Sequence, residues 1–429
     1  MKKICMVGLG YVGLPTALVA AQHGLNIIGF DIDAQKVKKI NSGVVDLTEP
    51  EINERLQIAL ESKCFSATTE LPLADCFIIA VPTPLSRHCA ADLSYVFAAT
   101  DQIIRKLMPG NVVIVESTIP VGTTDLIAQM IEQKTKFKVG KDVFVAHCPE
   151  RVWPSKVFYE LITNERIIGG VTPLCAEKAA QFYAKFVKGT LHLKSAKFAE
   201  LLKLTENSSI DVNVALAHQV AVLAEELGFD PYEVIAVANK HPRVKIWTPT
   251  CGVGGHCVAI DPWFLVNSFP EKTRLFQAAR LTNDERPSQV IKNVLDHVQK
   301  WQDGDDQKIC KVHLLGLAYK PNVDDLRESP AIKVAEELFK HKNIELFISE
   351  PNISSDCLKK RFGNMVSLKK GFQISDIVVA LVAHDQFKSI ELVEYRDKQW
   401  LDFAGLGWHQ QLCNRFLCDK ISDLQLSGE

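Results

Sequence analysis

The chain has 429 residues, and at roughly 150 residues per domain that length predicts two or three domains. Its 49 Lys and Arg balance 51 Asp and Glu, leaving a net charge of -2 that excludes a general electrostatic footprint for nucleic acid. Hydrophobic residues at 47% and charged residues at 23% exclude long disorder, and no apolar run reaches the ~20 residues of a membrane-spanning helix. The opening Met1-Lys2-Lys3-ICMVGLG imitates an export signal but has no long apolar core or small-residue cleavage site. The 12 cysteines form no CxxC pair, so free thiols in a reducing cytoplasm are expected.

In chain order, KKICMVGLG predicts a strand running into a glycine turn, and VGLPTALVAAQHG a helix ended by Gly24. NIIGFDID, DCFIIAVPTP, NVVIVEST and DVFVAHCP predict further strands, an alternation with helices that implies a parallel, doubly wound sheet. Lys194 to Leu227 contains no Pro or Gly and predicts one long helix. Leu201, Leu204, Val212, Leu216, Val220, Leu223 and Leu227 recur at helical spacing there, enough apolar surface to bridge two domains and to meet another subunit. QKWQDGDDQ marks a second boundary. Beyond it KVHLLGLAYK, SPAIKVAEELFKH, IELFISEP, DIVVALVAH and QWLDF predict a second, smaller α/β unit. Its Gly316-Leu317-Ala318-Tyr319 is no dinucleotide fingerprint. Domains are therefore expected at 1–190, 191–300 and 301–429.

Gly8-Leu9-Gly10-Tyr11-Val12-Gly13 is a GxGxxG between a strand and a helix, with a second strand reaching Asp31 about twenty residues on. The chemistry needs Gly8 for a tight turn, Gly10 for backbone approach to a pyrophosphate and Gly13 for close helix–strand packing. Asp31 would accept hydrogen bonds from a ribose and repel a 2′-phosphate, which favours NAD over NADP.

Two further segments suit chemistry. Lys203 and Asn207 are four apart on the long helix, so an ammonium and an amide share one face, an arrangement fit for a developing oxyanion, although a solvated helix face has the same pattern. Cys251-Gly-Val-Gly-Gly-His-Cys257, followed by Asp261-Pro-Trp, is a glycine-rich loop leading to a helix start that would favour a thiolate at Cys257. Zinc on Cys251, His256 and Cys257 is the rival, but the spacing matches no common zinc pattern and no fourth ligand is evident.

GLGYVGLP, VPTP, ESTIPVGTT, CPERV, KLTENSSIDVN, GVGGHCVAIDP and LAYKPNVDDLRESP, in that order, resemble the nucleotide-sugar 6-dehydrogenases of the UDP-glucose dehydrogenase superfamily. ANKHPRV followed by GVGGHCVAIDPWF resembles the UDP-N-acetyl-D-mannosamine branch. The resemblance implies an NAD domain, a central helical domain that dimerises and a C-terminal domain for the UDP end. It implies a four-electron oxidation of the sugar C6 hydroxyl to a carboxylate through a cysteine thiohemiacetal and thioester, for surface polysaccharide synthesis.

Carried onto this sequence, the resemblance makes Cys257 the nucleophile, Lys203 and Asn207 the oxyanion partners, and Glu150 an acid–base carboxylate with Thr118 and Asp261 holding water. Gly8, Gly10, Tyr11, Val12, Gly13, Asp31, Lys36, Thr83, Thr118 and Arg327 would serve NAD, although Arg327 also suits a surface ion pair with Asp324 or Glu328. Arg151, Val152, Gly255, Tyr319 and Lys320 would contact the nucleotide sugar, as would His241 and Arg243 from a partner subunit. Alternatives of the same chemistry are UDP-N-acetylglucosamine, UDP-glucose or a galacto relative. Alternatives of another class are a β-hydroxyacid dehydrogenase and a nucleotide-sugar-binding protein without turnover.

This sequence departs from the family pattern in places. Ile210 stands where an arginine is expected, Thr250-Cys251 where Pro-Gly is usual, and Pro154-Ser155 where Pro-Gly follows CPERV. Lys36 replaces an arginine, and Asp402-Phe-Ala-Gly-Leu-Gly-Trp408 lacks an expected basic residue. The reacting pair is kept while its binding shell has changed.

Overall fold

The computed structural model describes residues 3–47, 49–86, 88–153, 156–305, 307–390, 392–395 and 397–408. Pro154-Ser155 lies outside the described residues. The chain falls into two compact units: residues up to Asn207 with Trp263–Thr273, and Ser208–Pro262 with the residues from Arg274 on.

The first unit is built on an eight-stranded sheet. Its strands are β1 (Lys3–Val7), β2 (Asn26–Phe30), β3 (Phe65–Thr68), β4 (Cys76–Ile79), β5 (Val112–Val115), β6 (Phe144–His147), β7 (Arg166–Gly170) and β8 (Leu191–Ser195). The order is β3-β2-β1-β4-β5-β6-β7-β8, with β6–β7 antiparallel and the other pairs parallel. β4, β5 and β6 are buried at every position, as strands covered by helices on both faces require. The order reverses between β1 and β4, the place where doubly wound sheets open a ligand crevice. The helix Gly13–Gln22 is alanine-rich and buried along most of its length. It stops where Gly24 takes φ +79, with the His23 and Gly24 amides bonded to Ala20 O and Ala21 O.

The second unit holds a parallel four-stranded sheet of β9 (Cys310–Leu315), β10 (Ile344–Ser349), β11 (Ile377–Ala380) and β12 (Gln399–Asp402), ordered β10-β9-β11-β12. All four strands were anticipated, as was the helix Pro330–Phe339, capped by Ser329 Oγ accepting from Ile332 N.

The long helix spans Ala196–Glu226, its start in the first unit and the remainder in the second. Its apolar spacing divides in a way the pattern alone does not reveal. Leu204 is buried, whereas Leu216, Leu223 (57% exposed) and Leu227 (70% exposed) face outward within the described chain. A second long helix, Arg274–Gln302, was not anticipated because Pro287 reads as a breaker. Its Val290, Val294 and Val298 join the core of the C-terminal sheet. The strands β3, β7 and β8 were also missed. They are short, rich in small or polar residues, or, in β7, contain a glycine pair.

Candidate active site

In the first unit, β1 delivers Gly8 at φ +98, where a Cβ would lie 2.5 Å from Ala80 O. A Cβ on Gly13 would lie 2.0 Å from Gly8 O, so the turn closes only with glycine at both positions. A Cβ on Gly10 would meet nothing, which leaves that side of the turn open for a ligand to reach the backbone. Val12 sits at the N-cap of the helix, and Tyr11 Oη donates to Glu49 Oε2 at 2.9 Å.

At the end of β2, Asp31 Oδ2 accepts from Leu9 N (3.0 Å) and from Lys36 Nζ (2.9 Å), and Oδ1 accepts from Asp33 N (3.0 Å). A carboxylate offers about four lone-pair positions, so one remains for a ribose hydroxyl. Thr83 Oγ1 donates to Thr118 O at 2.8 Å, joining the loops after β4 and β5. Gly8, Gly13, Asp31, Thr83 and Thr118 thus gather at the carboxyl ends of one sheet.

The same unit fixes the start of the long helix. Buried Glu200 accepts from Gly122 N (2.6 Å), Thr124 N (2.8 Å) and Thr124 Oγ1 (2.6 Å), tying it to the ESTIPVGTT loop. One turn on, Lys203 is partly exposed and Asn207 is buried. Burial, with the Lys203 charge adding to it, pushes the His147 imidazole at the end of β6 down to about 3.

Glu150 Oε1 accepts from Arg151 N at 2.7 Å, and Oε2 from Arg166 Nη1 at 3.0 Å. Arg166 belongs to β7 and is 1% exposed. Behind it, Tyr183 Oη donates to Glu116 Oε1 at 2.7 Å. Burial, reinforced by the Glu150 charge, pushes the Glu116 carboxyl up to about 7. The Arg151 side chain pairs with Glu206 at 2.6 Å and donates to Glu165 O, and Val152 packs against the sheet core. Arg166, Glu116 and Tyr183 escaped the motif reading. The available signal was a charged residue inside the apolar run of β7, since a buried charge must be paired.

In the second unit, the loop before Cys257 is packed rather than open. Cys251 is buried in the core of the C-terminal sheet, and burial pushes its thiol up to about 12. A Cβ on Gly254 would lie 2.7 Å from Glu328 O, and one on Gly255, at φ +83, would lie 2.7 Å from the Tyr319 ring. The glycines expected to admit a substrate therefore admit the 319–330 segment.

Thr250 takes the place of the usual proline and is held by polar bonds. Its N–H donates to His218 Nε2 at 3.2 Å, and its carbonyl accepts from Arg286 Nε at 3.2 Å. Cys257 is exposed, and its carbonyl accepts from Ile260 N (3.0 Å) and Asp261 N (2.8 Å), a turn that opens the helix Asp261–Ser268. Asp261 is buried.

Burial pushes the Tyr319 phenol up to about 12, with Asp325 and Cys257 adding to the effect. Lys320 Nζ stands 5.8 Å from the Tyr319 ring centroid. Arg327 pairs with Asp325 at 2.6 Å. His241 and Arg243 are exposed on a loop that Asn239 clamps, Nδ2 donating to Ile246 O and Oδ1 accepting from Ile246 N. In the segment without its basic residue, the Asp402 carboxylate accepts from Ala404, Gly405 and Gly407 N. That segment is a self-capped turn. Ile210 is partly buried.

The chain matches the NAD binding domain of the UDP-glucose/GDP-mannose dehydrogenase family over residues 2–187, its central domain over 197–285 and its UDP binding domain over 313–402. The chain belongs to the UDP-glucose/GDP-mannose dehydrogenase family. A UDP-N-acetyl-D-mannosamine dehydrogenase of Yersinia pestis is 40% identical over 415 residues, covering 94% of this chain and 98% of that one. An NDP-N-acetyl-D-galactosaminuronic acid dehydrogenase of Ralstonia nicotianae is 39% identical over 412 residues, covering 94% and 96%. The solved UDP-D-ManNAc dehydrogenase of Pyrococcus horikoshii superposes with a TM-score of 0.86 at 38% identity, covering 94% and 96%.

This family member is an NAD-dependent UDP-sugar dehydrogenase, and the β-hydroxyacid dehydrogenase alternative falls with the match to a UDP binding domain. Its residues fit the cofactor: the turn has no room for a Cβ at Gly8 or Gly13, is open at Gly10, and Asp31 keeps an acceptor for a ribose. Among the described residues no helix is long and apolar enough to cross a membrane.

Proposed function

We propose that this dehydrogenase oxidises C6 of UDP-N-acetyl-D-mannosamine to the uronate in the cytoplasm, supplying an acidic sugar for surface polysaccharide. The observation that carries the sugar assignment is the 40% identity, over 94% of the chain, to relatives bearing that name. NAD, held by the Gly8–Gly13 turn and Asp31, would supply the hydride acceptor for both oxidation rounds. The residues of the chain do the rest. A base takes the hydroxyl proton as the first hydride leaves, and the Cys257 thiolate adds to the resulting aldehyde to form a thiohemiacetal. Loss of the second hydride and a proton leaves a thioester on the same sulfur. Water adds to its carbonyl, giving up a proton, the C–S bond breaks to release the thiolate, and the carboxylic acid so formed loses its remaining proton to solvent.

In this scheme Lys203 and Asn207 stabilise the oxyanion, and Glu150 takes the proton from water, with Thr118 and Asp261 orienting it. Arg151, Val152, Gly255, Tyr319 and Lys320 serve the nucleotide sugar, and Tyr11, Val12, Lys36, Thr83 and Arg327 serve the cofactor with the glycine turn. His241 and Arg243 act on a partner's substrate. The active unit is a homodimer, supported by the outward Leu216, Leu223 and Leu227 and by the exposed His241–Arg243 loop. The cytoplasmic setting is supported by nine described cysteines that are all free thiols.

The 39% identity to the galactosaminuronic acid dehydrogenase favours a galacto sugar as the second reading. An NADH-absorbance screen over UDP-sugars, including UDP-N-acetylglucosamine and UDP-glucose, decides between them. We expect the manno sugar to turn over fastest, at two NADH per sugar. A ratio near one with free aldehyde would overturn the thioester route, and binding without NADH would leave a ligand-binding protein.

A further inference from the structure

Arg166 is the charged residue of the run Arg166-Ile-Ile-Gly-Gly170, and its guanidinium lies inside the first unit. A buried cation costs several kcal/mol unless it is paired, and nothing in strand pairing calls for one. Its partner is Glu150, at 3.0 Å. On its other side the guanidinium carbon lies 5.5 Å from the Tyr183 ring centroid, and the Tyr183 hydroxyl binds Glu116. Hydrogen bonds thus join Glu116 to Tyr183 and Arg166 to Glu150, whose second oxygen is held by Arg151 N, and a guanidinium–ring contact joins the two pairs. Glu150 cannot rotate without breaking both of its bonds, and a base that meets water needs a fixed direction.

We infer that Arg166 is the positioning residue of Glu150, fixing the direction of the carboxylate that takes the proton from water in thioester hydrolysis, with Tyr183 and Glu116 as the buried layer behind the guanidinium. The inference rests on the reading of Glu150 as the base. The groups facing this pair are Glu116, Tyr183, Cys148 and Arg151. Arg166 alone supplies a buried positive charge to two carboxyls. With Glu116 protonated, that charge is committed to Glu150; with Glu116 ionised, it is divided. Because the Glu116 carboxyl is pushed up to about 7, the division occurs near neutral pH.

A double-mutant cycle on the full-length enzyme with Glu150→Gln, Arg166→Met and the pair tests this, supplemented by Arg166→Lys. The readouts are the NADH burst, kcat, KM and the mass of acid-quenched enzyme. Positioned bases contribute about 10²–10⁴-fold, so R166M is expected to lower kcat roughly 30-fold or more, with KM changed about threefold at most. The NADH burst should persist while an acyl group accumulates on Cys257, and R166K should recover part of the rate. In the E150Q background R166M should cost little further. Multiplicative losses in the double variant, or R166M losing the burst and kcat alike, would overturn the inference. Wild-type turnover by E150Q would instead overturn the base reading itself. Should thermal melts show R166M unfolded, Glu116→Gln and Tyr183→Phe decide: each keeps the Arg166–Glu150 pair, and each must move the pH profile of kcat near neutrality. An unmoved profile would overturn the inference.

Discussion

At the end of β1, Gly8 N donates to Phe30 O and Leu9 N to the Asp31 carboxylate; at the end of β9, Gly316 N donates to Ser349 O and Leu317 N to the Glu350 carboxylate. Both sheets thus present an acid at the tip of the neighbouring strand, clasped by the first backbone turn. What surrounds the acid differs. Asp31 has Lys36 and Asp33 N beside it, and its glycine turn is open at Gly10. Glu350 Oε2 takes Leu317 N (2.6 Å), Ala318 N (3.0 Å) and His384 Nε2 (3.2 Å), and Oε1 takes Asn352 N (2.9 Å). His384 Nδ1 accepts from Asn322 N, so the ring proton sits on Nε2 and points at Glu350. One backbone arrangement becomes a ligand acceptor when its acid stands beside an open turn, as at Gly10, and a structural plug when four internal donors clasp the acid and the turn is packed, as Gly316 is against Val382.

The comparison can be broken most severely at Gly13. Gly13→Val would drive a side chain into Gly8 O, and calorimetry should find NAD binding lost. Glu350→Gln should leave the NAD affinity unchanged yet lower unfolding free energy by about 2 kcal/mol in denaturant melts, since buried donors lose a charged acceptor. Asp31→Asn should weaken NAD by roughly tenfold, about the worth of one charged hydrogen bond, and should also lower the melt, because Leu9 N, Asp33 N and Lys36 lose a charged acceptor. If E350Q weakened NAD as D31N does, the plug reading would fail.

A finer test is pH. Glu116 is raised from 4.5 to about 7, mainly by burial, so its folded form keeps a proton that the unfolded chain releases. That contribution is present below about pH 4.5 and lost as pH rises to about 7. Burial would raise Glu350 as well, but His384 and the backbone donors outweigh it and hold its carboxyl low, so its contribution is present above pH 4.5 and lost in acid. E116Q should flatten the melting-temperature profile on the neutral side and E350Q on the acid side, each by roughly 2–4 °C. Parallel effects on one limb would show that the two acids share an environment. Lys36→Ala should have the smallest effect, a change of about threefold or less in the NAD KM, because its ion pair is half exposed.

The glycine turn, Asp31 and the strands β1, β2, β4 and β9 to β12 were legible because backbone demands restrict residue type there. β7 was not: two apolar residues and two glycines carry little pattern, and Arg166 acquires meaning only through Glu150, 16 residues away. The 274–302 helix was hidden by Pro287, which is buried and packs near Gly252. Leu216 and Leu223 were read as a helical stripe, but spacing cannot distinguish a core face from one that stays exposed among the described residues. The Cys257 loop was found for its thiol, while the reason for its glycines lay in Tyr319 and Glu328, which the loop cannot announce by itself.

The uneven burial of the sulfur atoms has a practical outcome. Cys5, Cys148 and Cys251 are sealed and held near 12, far from the anionic form that electrophiles and peroxides attack. Cys257 stands exposed among them. A mild alkylating tag at neutral pH should therefore mark this sulfur ahead of those three, and protection by a bound nucleotide sugar would report occupancy without any turnover.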